Sequence, residues 1–148
     1  MQPATDDLAA FISGFVAAEG SFVVSAQSSR FKFAVGLGAS DSATCELMRS
    51  FFCAGRLYRS ERRAPNYDDE VAFAVQALPD LIAVIVPFMD EHLPPSYKRE
   101  QYLRWREQLI DYWDHRARRT QRCSEHGCEL PSRARGLCRG HYYRAFGA

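Results

Sequence analysis

The 148-residue sequence has no apolar run long enough to cross a bilayer, and its N-terminus carries Asp6 and Asp7 where a secretory signal would place Lys or Arg. A soluble, intracellular protein is therefore expected. Net charge is equally scarce, at +1. An even set of cysteines is also missing: five thiols without an export signal argue against a disulfide framework. With 47% hydrophobic and 25% charged residues the chain is not of disordered composition, and it suffices for one modest core plus an appendage.

The small net charge conceals a division near residue 114. Residues 1–114 hold 11 Lys and Arg against 16 Asp and Glu, whereas residues 115–148 hold 8 against 2. Two domains are expected on this basis, an acidic body over 1–114 and a basic linker and tail over 115–148. Clustered Arg is the usual footprint of phosphate binding, so the tail is either a polyanion contact or simply a solvated terminus. The cysteines divide the same way. Cys45 and Cys53 are expected to be small buried hydrophobes, while Cys123, Cys128 and Cys138 crowd the tail.

In the body, residues 7–20 have an acidic start, apolar residues at helical spacing and a closing Gly20, the pattern of a helix ended by glycine. Gly14 and Ala18 share one face of it, open to the close approach of a second helix. Residues 21–27 and 31–37 alternate as a hairpin with one buried side. Asp41-Ser42 caps a second helix bearing Leu47, Met48, Phe51 and Phe52, with Gly55 beyond its end. A second strand pair covers 56–60 and 70–76. A third helix begins near Pro79, with Pro87 marking a kink or early end, and a fourth carries Tyr102, Trp105, Leu109 and Trp113. The expected fold class is α+β, in the order α-β-β-α-β-β-α, with an antiparallel sheet bearing helices on one face only. Its other face is then exposed or occupied by a partner.

Residues 12–20, Ile-Ser-Gly-Phe-Val-Ala-Ala-Glu-Gly, followed by Ser21-Phe22, resemble the motif of the LAGLIDADG homing endonucleases in the form with one motif per chain. The element order is similar, residues 81–88 look like the family's third helix, and Lys98-Arg99 with Tyr102 and Trp105 resembles its basic-then-aromatic signature. The resemblance implies a homodimer whose motif helices pack through Ser13, Gly14, Ala17 and Ala18, with two saddle-shaped sheets on the major groove of double-stranded DNA. It implies sequence-selective, Mg²⁺-dependent phosphodiester hydrolysis leaving 3′ overhangs, with intron or intein mobility as the setting. Glu19 and the backbone carbonyl of Ala18 would hold the metal, and Lys98 would stabilise charge at the scissile phosphate.

The sheet face turned from the helices offers Ser25, Gln27, Arg30, Lys32, Arg56 and Tyr58 for DNA, with Arg59, Arg62 and Arg63 expected in the long loop beyond. Between them lie alanines and glycines that cannot read a base edge, so DNA deformability would share in selectivity. Where the family often carries Gln at the end of the second strand, this chain has Leu37 or Ala39. That departure favours an alternative, a non-cleaving DNA-binding regulator or intron RNA-splicing cofactor on the same fold; Glu19 favours the enzyme.

In the tail, Cys123, Cys128, Cys138 and His141 form C-x4-C-x9-C-x2-H, a spacing suited to a structural, tetrahedral Cys₃His zinc site. His126, between the first two cysteines, is expected at the surface. Residues 134–144 resemble small zinc fingers found beside phage and bacterial endonucleases, which places the expected protein in a bacterial or phage-like cytoplasm. Arg116, Arg118 and Arg119, with Arg122, Tyr142 and Tyr143, would extend contact to DNA phosphates, or the module is a purely structural cap.

Overall fold

The computed structural model describes residues 5–25, 27–61, 65, 68–119 and 122–147, the side chains of 117–119 excepted. Helices and strands follow in the order α1 (Thr5–Glu19), β1 (Gly20–Ser25), β2 (Arg30–Gly38), α2 (Ser42–Phe52), β3 (Arg56–Ser60) and β4 (Glu70–Val75). The contiguous segments Leu78–Asp80, Leu81–Ile85 and Val86–His92 make α3, followed by α4 (Tyr97–Arg119) and α5 (Arg139–Phe146). Two compact units divide at Leu109/Ile110, within α4.

In the first unit the strands form one antiparallel sheet of order β1-β2-β4-β3. Register fixes its faces. Phe22 pairs with Phe33, Val35 with Phe73, and Leu57 with Phe73, so these side chains share the helix-bearing face. There Phe33, Val35, Val71, Phe73 and Val75 are completely buried beneath Ile12 and Val16 of α1, Met48 of α2, Leu81, Ile85 and Met89 of α3, and Tyr102 and Leu109 of α4. Aromatic rings tie the layers together: Phe52 stacks on Phe73 at 5.9 Å and Phe22 meets Trp105 at 5.2 Å. Trp105 also donates its indole N–H to the Val23 carbonyl at 3.1 Å, anchoring the edge strand β1 to α4.

Several local expectations change. Gly20 does not have a left-handed φ. It is glycine because a Cβ would lie 2.6 Å from the Val16 carbonyl oxygen and 2.7 Å from Val16 Cγ1. Asp41 stands at the start of α2 but makes no side-chain capping bond. The left-handed residue ending α2 is Cys53, at φ 49°, which is exposed rather than buried; Gly55 is left-handed too, at φ 83°. Cys45 is fully buried, as expected, and burial pushes its thiol pKa up. Leu47 is turned to solvent, and Cys45 with Met48 and Phe52 forms the packed stripe of α2. Pro87 does not end α3. The preceding turn, Leu81–Ile85, widens to a π-helix in which Val86 N–H bonds to the Leu81 carbonyl, and the helix runs on to His92.

In the second unit the tail folds around short backbone links: Cys123 N–H to the Leu130 carbonyl at 2.8 Å and Ser124 N–H to Gly136 at 2.7 Å. Gly127 and Gly136 take left-handed turns at φ 77° and 75°. None of the described helices is long and apolar enough to cross a membrane.

Candidate active site and metal centre

Glu19 is the last residue of α1, and its side chain is exposed. A carboxylate there adds to the negative end of the helix dipole, an arrangement that costs stability in the absence of a cation. The tight packing of Gly20 on Val16 fixes how the chain leaves the helix, and hence where Glu19 stands. It opens on a cavity of about 360 Å³ lined also by Gly36, Leu37, Gly38, Asp68, Asp69 and Glu70. Glu70 pairs in register with Gly38, and its carboxylate lies across β2 at Gly36, where a Cβ would stand 2.7 Å from Glu70 Oε1. Glu19 and Gly36 line the same cavity, next to the Gly20–Val35 pair that ends the β1–β2 register. A carboxylate from β4 thus reaches toward the motif end.

Leu37 lines this cavity. Ala39 sits in the following turn, with its N–H bonded to the Asp69 carbonyl at 2.7 Å. Neither side chain is polar; the polar groups of the cavity come from the strand β4 and the residues leading into it. Asp68, Asp69 and Glu70 were not among the residues expected from sequence, because their neighbourhood to Glu19 exists only once β2 pairs with β4. Carboxylate oxygens are hard donors of the kind that suits a divalent ion such as Mg²⁺, although among the described residues the ligand atoms that converge within 4.8 Å are those of the Cys and His group in the second unit.

Lys98, in the first turn of α4, does not line that cavity. It faces a separate groove shared with Ser21. Of the α1 positions expected to meet a partner helix, Gly14 and Ala18 are exposed and Ala17 is half-buried, and nothing lies within 4 Å of a Cβ built on Gly14. Ser13 is different: it is buried within its own chain, and its hydroxyl donates to the Ala10 carbonyl at 3.0 Å. The exposed Phe11 extends the open face of the helix.

On the open sheet face, Arg30, Lys32 and Arg56 are exposed, Tyr58 is 47% exposed, and Ser25 is half-buried. Gln27 is exposed in the hairpin turn, where Ser29 takes a positive φ. Between the cations lies a floor of Ala34, Gly36, Ala72 and Ala74. Arg59 departs from expectation: it lies in β3 rather than the loop and pairs with the buried Val71, so alternation assigns it to the helix-bearing face. Arg62 and Arg63 lie outside the described residues, as do the side chains of Arg118 and Arg119; Arg116 is exposed.

In the second unit, one ligand atom from each of Cys123, Cys128, Cys138 and His141 falls within 4.8 Å of all the others. His141 Nδ1 is 3.3 Å from Cys123 Sγ and 3.2 Å from Cys138 Sγ, and the sulfurs of Cys128 and Cys138 are 3.9 Å apart. A tetrahedron with ordinary zinc bond lengths sets about 3.8 Å between sulfurs and about 3.5 Å between sulfur and nitrogen, so the four donors fit zinc closely. Local folding explains the convergence. Cys138 is the N-cap of α5, its sulfur accepting from the His141 N–H, which places both ligands on the first turn. Gly127 turns the first pair so that Cys128 N–H bonds the Glu125 carbonyl at 3.0 Å. His126 is exposed and outside the cluster. Around it, the Arg135 guanidinium stacks 4.7 Å over Phe146, and Tyr143 is 59% exposed.

Comparison with known proteins places the body. No curated protein sequence matches the chain. The meganuclease I-SmaMI, bound to uncleavable DNA with a TTGT central four, superposes with a TM-score of 0.66 at 19% identity, over 78% of this chain and 39% of that one. The homing endonuclease I-TnaI gives 0.61 at 19%, over 78% of this chain and 77% of that one. I-SmaMI bound to cleaved DNA gives 0.61 at 21%, over 77% and 39%. The chain thus spans about two fifths of I-SmaMI and about three quarters of I-TnaI. The shared feature is the fold. The family model of the LAGLIDADG endonucleases matches residues 12–109, almost the whole first unit, and the chain belongs to that family.

Proposed function

We propose that the protein is a homodimeric, Mg²⁺-dependent endonuclease that cuts double-stranded DNA selectively by sequence, leaving 3′ overhangs, and that its zinc module extends the DNA contact. The observation that carries this reading is the placement of Glu19: an exposed carboxylate at a helix C-terminus, opening on a cavity lined by further carboxylates. A single motif helix per chain, with exposed Gly14 and Ala18, supports a pair of helices meeting at a two-fold axis. Two Glu19 side chains brought within a few ångströms of each other repel unless a cation lies between them.

In this reading Glu19 and the Ala18 carbonyl would hold Mg²⁺. The bound ion would supply a water of lowered pKa and neutralise charge on the departing 3′ oxygen. Glu19 orients that site from the rigid end of α1. Lys98 brings a cation beside Ser21, two residues past Glu19, where it offsets negative charge on phosphate. Hydrolysis adds water across the phosphorus–O3′ bond, giving a 5′ phosphate and a 3′ hydroxyl. The zinc of the tail takes no part, because four protein ligands leave it no open position.

Incubation with duplex DNA from the locus flanking its own gene tests the reading. Cleavage that requires Mg²⁺ and disappears in Glu19→Gln supports it. Gly14→Leu should separate the subunits in sedimentation and abolish double-strand cuts. A second reading, a DNA-binding regulator or RNA-splicing cofactor that does not cut, is favoured by the apolar Leu37 in the Glu19 cavity; tight binding at that locus without cleavage would select it.

A further inference from the structure

A second groove runs along the other side of β1. Ser21 and Phe22 form one wall and Lys98, Gln101, Arg104 and Gln108 of α4 the other, enclosing about 530 Å³. We propose that this groove seats the sugar–phosphate backbone of one DNA strand, with Arg104 as its main phosphate ligand and Gln101 and Gln108 as neutral donors beside it. The proposal rests on the nuclease reading and goes beyond it, assigning residues of α4 that lie off the sheet face.

The cations of α4 fall into two groups. Arg99 donates to the carbonyls of Leu93 and Met89, and Arg106 forms a two-pronged pair with Asp90 at 2.9 and 3.0 Å, so both hold α3 against α4. Lys98 and Arg104 have no ion pair among the described residues. Arg104 makes only a 3.4 Å contact from Nε to the Glu100 carbonyl one turn back. These two cations, unused by the fold, are the ones that line the groove.

The rest of the lining is consistent with a phosphodiester. Among the described residues no carboxylate lines the groove, although the body is acidic, and Glu100 and Glu107 on the same helix are not part of it. Positions 98, 101, 104 and 108 follow helical spacing and so form one stripe. At 1.5 Å per residue the stripe is about 15 Å long, enough to follow a short run of consecutive phosphates. Ser21 in the groove wall follows Glu19 by two residues, across the α1–β1 junction, so a strand in the groove passes near the motif carboxylate.

The test is the salt dependence of binding to a mixed-sequence DNA duplex by the intact, zinc-loaded protein, with circular dichroism as the check on folding. Arg104→Gln should weaken binding and reduce the slope of log K against log salt by about 0.9, the contribution of one phosphate. Arg104→Lys should restore the slope. Gln101→Ala and Gln108→Ala should weaken binding at an unchanged slope. Arg49→Gln, which removes a cation paired with Glu46 on α2, should leave the slope as in wild type. A wild-type slope in Arg104→Gln, or an equal loss in Arg49→Gln, would overturn the groove and leave the nuclease reading standing. Failure of the wild-type protein to bind duplex at all would overturn both.

Discussion

Replacing Gly20 by Ala adds one methyl group where there is no space for it. Its Cβ would lie 2.6 Å from the Val16 carbonyl oxygen and 2.7 Å from Val16 Cγ1, and Val16 is completely buried, so the obstacle is backbone and packed core. The last turn of α1 must move against the sheet. Forcing a methyl group into a packed site costs about 1–3 kcal/mol, a fall in Tm of roughly 5–15 °C for a body of this size. Gly14→Ala is the internal control, because the same change on the same helix meets nothing within 4 Å. Ala is the better helix former by about 1 kcal/mol, so that variant should gain stability. Thermal unfolding of the two variants at low protein concentration, followed by circular dichroism, reads the opposite signs. Since Gly20 also sets the position of Glu19, Gly20→Ala should lose Mg²⁺-dependent cleavage below its melting temperature. Unfolding of Gly20→Ala at the wild-type temperature would refute the close approach and the account of how Glu19 is held.

Three further outcomes follow. One zinc per chain should be found by elemental analysis, and its removal by a chelator, followed by dialysis and return of Mg²⁺ alone, should weaken DNA binding while cleavage persists at saturating protein; absence of zinc would leave the four-ligand cluster unexplained. Tyr102 donates its hydroxyl to Asp90 at 2.6 Å and to the Val86 carbonyl at 3.1 Å, and burial together with the Asp90 contacts pushes its pKa up. The raised value means the neutral phenol stabilises the fold fully below the unfolded pKa and less as pH rises past about 10; wild type should lose stability there, and Tyr102→Phe should lack that alkaline component. Cys53→Gly, at φ 49° on the surface, should gain about 0.5–1 kcal/mol in denaturant unfolding by relieving a left-handed residue.

The periodic parts of the chain were legible from sequence. Alternation over β1, β2 and β4 and the stripe through Tyr102, Trp105 and Leu109 report which face is buried, and burial is what the structure enforces. Terminal chemistry was less legible. Pro87 reads as a helix breaker, but a π-turn accommodates its missing N–H inside α3. Gly20 reads as a left-handed cap and proves to be a matter of room. The tail ligands were visible because zinc demands fixed spacings over a short stretch. The carboxylates facing Glu19 were hidden because Asp68, Asp69 and Glu70 lie some fifty residues away and meet it only through the β2–β4 register. Arg104 was hidden for another reason: it and Arg106 look alike in sequence, and only the Asp90 pair shows which one the fold consumes.

The most direct test of the central claim compares wild type with Glu19→Gln on duplex DNA from the locus flanking the gene, scoring binding and cleavage separately with and without Mg²⁺. The account predicts double-strand cleavage by wild type only with Mg²⁺, and in Glu19→Gln no cleavage with binding largely retained, because one metal ligand is lost and no phosphate contact is. Cleavage by Glu19→Gln at the wild-type rate would contradict the assignment of the site.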